Sequence, residues 1–138
     1  GYTIRWDPET WVAMPESAED GRQFHIVGSV LVMVRITGVE GYGGDADACL
    51  AGIVESSQPD EEDDAPLVLA EGRQAPATAD GAAGAVYDIG TFGVAYYECR
   101  TLVEGESALQ VRFVAPARAY DMVLPALEEL LTGIEVES

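Results

Sequence analysis

The sequence contains no lysine, so all of its side-chain positive charge outside histidine comes from arginine. Lys and Arg together number 7 against 25 Asp and Glu, and the formal net charge is −18. A surface with this excess of negative charge repels the phosphates of nucleic acids and of anionic lipids. We therefore expect no nucleic-acid partner and no direct membrane insertion within this segment. We expect instead a protein partner of basic character.

Long hydrophobic runs are also missing. The longest, "IVGSVLVMV", falls well short of the roughly 18 apolar residues that cross a bilayer as a helix. The hydrophobic fraction of 48% is still sufficient for a buried core. A length of 138 residues suits one domain, so we expect residues 1–138 to form a single domain. The chain enters "YTIRW" directly after Gly1, as expected of a trimmed domain boundary.

Residues for catalysis and metal binding are scarce. The one histidine, His25, lies in the alternating segment "QFHIVG", which is typical of a half-buried strand. Neither G-x-S-x-G nor H-E-x-x-H occurs. Two cysteines and one distant histidine cannot fill a tetrahedral zinc site. We therefore expect no enzyme activity, no cofactor and no metal site.

An acidic run, "QPDEEDDAP", covers residues 58–66. Calcium requires six to eight oxygens from a loop that wraps around the ion, and such loops contain a glycine that allows the turn. The acids here are consecutive and lack that glycine. We therefore favour a solvated charge run over a calcium site.

The first half of the chain predicts four strands and a helix. "YTIRW" and "WVAM" flank the turn signal "DPET" and are predicted to form a hairpin. "QFHIVG" and the apolar, β-branched "SVLVMVRITGV" follow as strands. In "DADACLAGIVESSQ" the period changes to that of a helix, with Asp45 or Asp47 as its N-cap. Cys49 lies on the apolar stripe of this helix.

The second half predicts four more strands and a second helix. The strands are "PLVLAEGRQA", the two halves of "AVYDIGTFGVAYYECRTLV" around Gly90–Gly93, and the alternating "ALQVRFVA". "PARAYDMVLPALEELLTGIEV" carries a helical apolar stripe that extends to Ile134, with Gly133 as C-cap. Pro125 predicts a kink, or a short first turn before the main helix.

These elements give the order ββββ-α-ββββ-α. Each helix needs a sheet face on which to bury its apolar stripe. The sequence therefore predicts an α+β protein, with a mostly antiparallel sheet and helices packed on its faces.

Both ends of the chain resemble PsbP-like domains. "YTIRWDPETWVAM" is similar to their opening "Y-x-I-x-Y-P-x-x-W" hairpin, although Asp7 stands before Pro8 where an aromatic is usual. "FVAPARAYDMVLPALEELLTGIEV" is similar to their closing strand and helix. This α/β/α-sandwich superfamily includes an extrinsic subunit of photosystem II, a Ran-binding protein and bacterial surface lipoproteins.

The resemblance implies a non-catalytic binding or accessory module that is often exported. We expect an extracellular or periplasmic location, with anchoring to the cell surface by a segment outside this chain. The module would then be part of a larger lipoprotein or membrane-tethered protein. An alternative is a sensor that binds a small molecule or metal in a pocket between the sheet and one helix.

The two cysteines fall on surfaces that are predicted to meet. Cys99 shares a strand face with Ala95 and Tyr97, beneath a helix, and Cys49 lies on the inward stripe of a helix. A Cys49–Cys99 disulfide would close a loop of about fifty residues and stabilise the fold by about 4 kcal/mol. The alternative is two separate buried thiols. We favour the disulfide, because the count is even and the protein is expected to be exported.

Three residues are candidates for binding a partner. Tyr96 and Arg100, with Glu98 between them, share the other face of that strand. If exposed they would suit a binding hot spot, and if covered they would pack and form a salt bridge, which we favour. Tyr42, between glycines in "EGYGG", is the third candidate, as a loop tyrosine.

Overall fold

The computed structural model describes residues 2–14, 21–40, 45–57, 67–70, 72–76, 82–101 and 107–136. These residues form nine strands and two helices. In chain order they are β1 (Tyr2–Ile4), β2 (Trp11–Ala13), β3 (Gly21–Ile26), β4 (Ser29–Glu40), α1 (Ala46–Ser57), β5 (Leu67–Leu69), β6 (Ala82–Ile89), β7 (Gly93–Thr101), β8 (Ser107–Pro116), α2 (Ala117–Thr132) and β9 (Ile134–Val136).

A seven-stranded sheet has the order β2-β3-β4-β8-β7-β6-β5, and every neighbouring pair is antiparallel. The predicted α+β class and the order of eight strands and two helices are confirmed. Strands β4, β7 and β8 are the long central strands. Their β-branched and aromatic residues fit a pleated surface, which is buried on both faces along β7 and on the α2 side along β4 and β8.

The predicted β1–β2 hairpin is wrong. β1 pairs with β9 in a separate two-stranded sheet, and β2 pairs with β3. The turn itself is present: the N–H groups of Thr10 and Trp11 donate to the carbonyl of Asp7. This turn carries the chain from one sheet to the other, so it does not fold β2 back onto β1.

The end of the second helix also differs from the prediction. Gly133 caps α2, and its N–H donates to the carbonyls of Glu129 and Leu130. Ile134 then belongs to β9 rather than to the helical stripe. The Arg5 N–H donates to the Gly133 carbonyl at 2.8 Å, which holds this chain reversal against the segment that follows β1.

Helix α1 begins as predicted. The Asp45 carboxylate accepts a hydrogen bond from the Ala48 N–H at 3.1 Å, so Asp45 is the capping residue. Cys49 and Ile53 are fully buried on its inner stripe. Helix α1 packs on β6, β7 and β8.

Helix α2 packs on the opposite face of the sheet and buries Tyr120, Val123, Leu124, Leu127, Leu130 and Leu131. It runs through Pro125 as one element, so the predicted short first turn is not present. Proline lacks the N–H that the Asp121 carbonyl would accept, and Asp121 is exposed to solvent. The Trp11 indole N–H donates to the Ala126 carbonyl at 3.2 Å and ties β2 to this helix.

The sheet therefore has two differently covered faces. On the α2 side the main core runs continuously from Trp11 and Phe24 across the central strands to Val86. On the α1 side two smaller clusters surround Cys49 and Ile53. In the described ranges, neither helix has the length and apolar character required to span a membrane.

Candidate functional site

The two cysteines form a disulfide between α1 and β7. The Cα atoms of Cys49 and Cys99 are 6.0 Å apart, within the usual range for a disulfide, and both residues are fully buried. Ala108 on β8 and Leu50 on α1 pack around the pair. The disulfide thus fixes the helix to a central strand of the sheet.

This bond joins residues 50 positions apart. In the chain-entropy description, closing a loop of this size stabilises a fold by about 4 kcal/mol relative to the reduced chain. The side-chain amide of Gln110, itself buried on β8, lies 3.8 Å from the Cys49 sulfur. The α1 side of the sheet is therefore held by a covalent link together with a small amount of apolar packing.

Tyr96, Glu98 and Arg100 form a buried cluster on the α2 side of β7. The Glu98 side chain is inaccessible to solvent. Its Oε1 accepts a hydrogen bond from the Tyr96 hydroxyl at 2.7 Å, and its Oε2 accepts one from Arg100 Nε at 2.5 Å. Burial, together with the negative charge of Glu98, raises the pKa of Tyr96 well above its usual value.

Tyr96 is fully buried and Arg100 is only 8% exposed. A partner protein cannot reach the Tyr96 ring in this conformation. The structure therefore favours packing with a salt bridge, the second of the two alternatives for these residues. A buried charge without a partner is strongly destabilising, and here Glu98 and Arg100 are paired.

Tyr120 on α2 closes the core above Phe113, with ring centroids 6.3 Å apart. Its hydroxyl donates to the Gln74 carbonyl at 2.6 Å, which holds the segment after β5 against the helix. Burial, followed by the negative charge of Asp121, raises the pKa of Tyr120 to about 12. The Tyr120 hydroxyl is therefore protonated at neutral pH.

Part of the α1 side of the sheet is not covered by either helix. We call this region the open face and define it by Val12, Gln23, His25, Met33, Arg35 and Arg112. The strand registers place Val12, His25 and Met33 in one cross-strand row, and Gln23, Arg35 and Arg112 in the next. The second row continues to Tyr97, which packs beneath α1. The open face therefore lies beside α1.

Arg35 and Arg112 are both exposed and stand directly opposite each other on β4 and β8. Arg35 Nε donates to the Thr37 hydroxyl at 3.3 Å. Within the described ranges, the ion pairs are Arg5–Glu135, Arg73–Asp88 and Glu98–Arg100, and neither Arg35 nor Arg112 takes part in one. Two positive charges without an ion-pair partner among the described residues thus lie together on a highly acidic protein.

His25 is half-buried in β3, as its alternating segment predicted. Its Nδ1–H donates to the Ile26 carbonyl at 2.9 Å, because a carbonyl oxygen can only accept. Its directly paired neighbours are Val12 and Met33, which carry neither a nucleophile nor an acid. This arrangement is that of a half-buried strand histidine.

A shallow groove of about 550 Å³ runs between α1 and β6. It is lined by Leu50, Ala51, Val54 and Glu55 from the helix and by Tyr87 from the strand. Its volume and mostly apolar lining are within the range of small-molecule sites. This is the kind of place that the sensor alternative requires.

Two of the sequence predictions lie outside the described residues: the binding candidate Tyr42 and the acidic run at residues 58–66. In the portion of the chain that is described, no three His, Cys, Asp or Glu side chains come together as metal ligands.

Comparisons with known proteins establish the fold. No protein-family model matches the sequence, and no curated protein matches it. The solution structure of cyanobacterial PsbP (CyanoP) from Synechocystis sp. PCC 6803 aligns with 99% of this chain and 87% of its own, with a TM-score of 0.55 and 12% identity. A crystal structure from Bacteroides thetaiotaomicron VPI-5482 aligns with 99% of this chain, with a TM-score of 0.55 and 14% identity. This chain spans 45% of that protein's length. The protein therefore has a PsbP-like fold, as the resemblance of its two ends implied.

Proposed function

We propose that this protein is a non-catalytic accessory module that binds a protein partner outside the reducing cytosol. The PsbP-like fold is the observation that carries this proposal, because the superfamily that the sequence resembles contains extrinsic and accessory proteins. Fold alone does not determine function. The chemistry of individual residues therefore has to agree with the proposal.

The buried carboxylate supports a non-catalytic role. Both oxygens of Glu98 accept hydrogen bonds from side chains of the protein itself, Tyr96 and Arg100. A general acid or base has to reach a proton of its substrate directly or through one water. Glu98 is inaccessible to solvent, so it is suited to holding the sheet together rather than to proton transfer.

The disulfide supports a location outside the cytosol, because such bonds persist in oxidising compartments. We propose an extracellular or periplasmic location, with surface anchoring by a segment outside this chain. The test is to quench cells that express the full-length protein in acid, to denature the protein, and to label it with a maleimide reagent before and after reduction. The thiols of Cys49 and Cys99 should react only after reduction. Reaction before reduction would contradict the proposed location.

The net charge of −18 supports a partner with a basic surface, because opposite charges accelerate encounter. The immobilised oxidised protein should retain a discrete protein from an envelope extract of its source cell. That protein, once purified, should bind with 1:1 stoichiometry, and more slowly as salt rises from about 0.05 to 0.3 M. If no extract protein binds saturably, the interaction role is wrong.

The groove between α1 and β6 favours the second candidate, a small-molecule sensor. A ligand that binds only the folded protein raises its melting temperature as ligand concentration increases. A metabolite and metal screen should therefore be run on the wild type and on Val54→Trp, which would fill the groove. A concentration-dependent shift in the wild type that is absent in the variant would support the sensor function.

A further inference from the structure

We propose that Arg35 and Arg112 on the open face form a recognition site for carboxylate groups of the protein partner. This inference rests on the proposed function, to which it adds a binding surface and a partner chemistry.

Arg35 and Arg112 are direct cross-strand neighbours. Directly opposed residues of an antiparallel pair have Cβ atoms about 4.5–5.5 Å apart on the same face of the sheet. Arg35 and Arg112 are such a pair, and both side chains are exposed. Two guanidinium groups therefore project from neighbouring positions to the same side.

The described hydrogen bonds of the two arginines use only some of their N–H donors. Arg35 donates its Nε–H to Thr37, and within the described ranges neither Arg35 nor Arg112 takes part in an ion pair. Guanidinium groups bind carboxylates through two parallel N–H···O bonds. The donors that the described contacts leave unused can thus hold one carboxylate between them, or two adjacent carboxylates.

The two guanidinium groups also repel each other electrostatically. Like charges that stand directly opposite in a sheet are destabilising. Arg5, Arg73 and Arg100, in contrast, each have a carboxylate within 4.0 Å. A bound carboxylate would relieve the repulsion between Arg35 and Arg112, so binding and local stability are coupled.

The surroundings indicate a protein carboxylate rather than a free phosphate. Val12, which is 39% exposed, and half-buried Met33 provide apolar surface one row away from the arginines. Apolar side chains of a polypeptide can cover this surface, whereas inorganic phosphate cannot. The fitting partner is a protein with a basic surface overall that presents a few acidic and apolar side chains to the open face.

The test uses a capped peptide with two glutamates flanked by valines, and a matched peptide with glutamines in their place. Binding to the oxidised protein is followed by NMR amide shifts and calorimetry at about 0.15 M salt, where the Debye length is about 8 Å and long-range repulsion is screened. We expect shifts centred on β3, β4 and β8 with the glutamate peptide and none with the glutamine peptide. Arg35→Gln or Arg112→Gln should weaken binding by roughly tenfold or more. Arg112→Lys keeps the positive charge but loses the planar guanidinium that binds a carboxylate through two N–H groups. It should therefore give an intermediate loss of affinity.

Arg118→Gln is the matched control, because Arg118 is an exposed arginine on α2, on the opposite side of the sheet. It should bind the glutamate peptide as the wild type does. The site is overturned if both open-face variants bind the peptide normally, if phosphate alone competes with it fully, or if the shifts report self-association through this face. If the natural partner binds Arg35→Gln/Arg112→Gln as tightly as the wild type, the site is wrong and the proposed function stands. If the wild type has no protein partner but still binds the peptide, the proposed function is wrong and the carboxylate site stands.

Discussion

Gly84 on β6 faces the hydroxyl of Tyr96 on β7 so closely that a Cβ at position 84 would lie 2.3 Å from the hydroxyl oxygen. The same hydroxyl donates to Glu98, which is directly paired with Gly84 across the two strands. The absence of a side chain at position 84 therefore makes room for the buried cluster.

Gly84→Ala should destabilise the protein by about 1–3 kcal/mol, because the added methyl displaces the Tyr96 hydroxyl from Glu98. Urea unfolding of the oxidised protein measures this change as a lower midpoint. Gly72→Ala is the control, since a Cβ there meets nothing within 4 Å. Equal urea midpoints for the two variants would show that the Tyr96 ring can move without a loss of stability.

Glu98→Ala should destabilise the protein by about 3–5 kcal/mol, because it leaves the Arg100 guanidinium buried without its partner. In a cycle of Glu98→Leu, Arg100→Met and the variant with both changes, the double variant should lose less stability than the sum of the two single changes. Thermal or urea unfolding of the four proteins gives the coupling. Additive losses would mean that Glu98 and Arg100 do not act as a pair.

Reduction of the Cys49–Cys99 bond should lower stability by about 4 kcal/mol. The measurement compares urea midpoints of the wild type with and without dithiothreitol. Cys49→Ala/Cys99→Ala should be insensitive to the reductant, which controls for effects of the reagent on other groups. A wild-type midpoint that does not change on reduction would contradict the stabilising role of the bond.

Stability should fall at alkaline pH. The folded protein raises the pKa of Tyr120 to about 12 and that of Tyr96 further, against about 10 for an unfolded tyrosine. Between pH 10 and 12 the unfolded chain therefore binds fewer protons than the folded one, and each tyrosine contributes a loss of about 1.4 kcal/mol per pH unit. This stabilisation is fully present below pH 10. Urea unfolding at pH 9–12 should show a smaller slope in Tyr120→Phe, and an unchanged slope would contradict the assignment.

Arg35 and Arg112 should repel each other in the free protein. A double-mutant cycle with Arg35→Gln and Arg112→Gln should give an unfavourable interaction of about 0.2–1 kcal/mol between the two arginines. A cycle between Arg35 and Arg118 should give none. Because surface repulsion is screened by salt, the first coupling should shrink as ionic strength rises. A favourable coupling would show that the two side chains do not share the open face as described.

The alternation of apolar and polar residues in the strands, and the apolar stripes of the helices, were sufficient to predict most of the main sheet and both helices. Leu109, Val111 and Phe113 are buried together as their period of two required. The same reasoning placed Cys49 and Cys99 on facing surfaces. These predictions succeed because they depend on patterns within one element.

The pairing of β1 with β9 could not be predicted in this way. Tyr2 pairs with Val136, and no local pattern in either three-residue strand identifies so distant a partner. The turn at Asp7 favoured the nearer strand β2 as the partner. Tertiary packing of α2 brings β9 to β1 instead.

The Arg35–Arg112 pair escaped prediction for a related reason. Each arginine lies in an alternating strand, which gives its face but not its cross-strand neighbour. The pairing follows from the β4–β8 register, in which Ile36 meets Val111 and Val34 meets Phe113. Matching these two apolar pairs would have placed the two arginines opposite each other.

The ladder between β1 and β9 brings Tyr2 and Val136 side by side, about 4.8 Å apart as neighbouring strands are. A longer polypeptide could therefore enter and leave this fold at one point. The fold could be inserted into an exposed loop of a host protein, or its ends could be fused and new ones opened elsewhere, without parting the seven-stranded sheet.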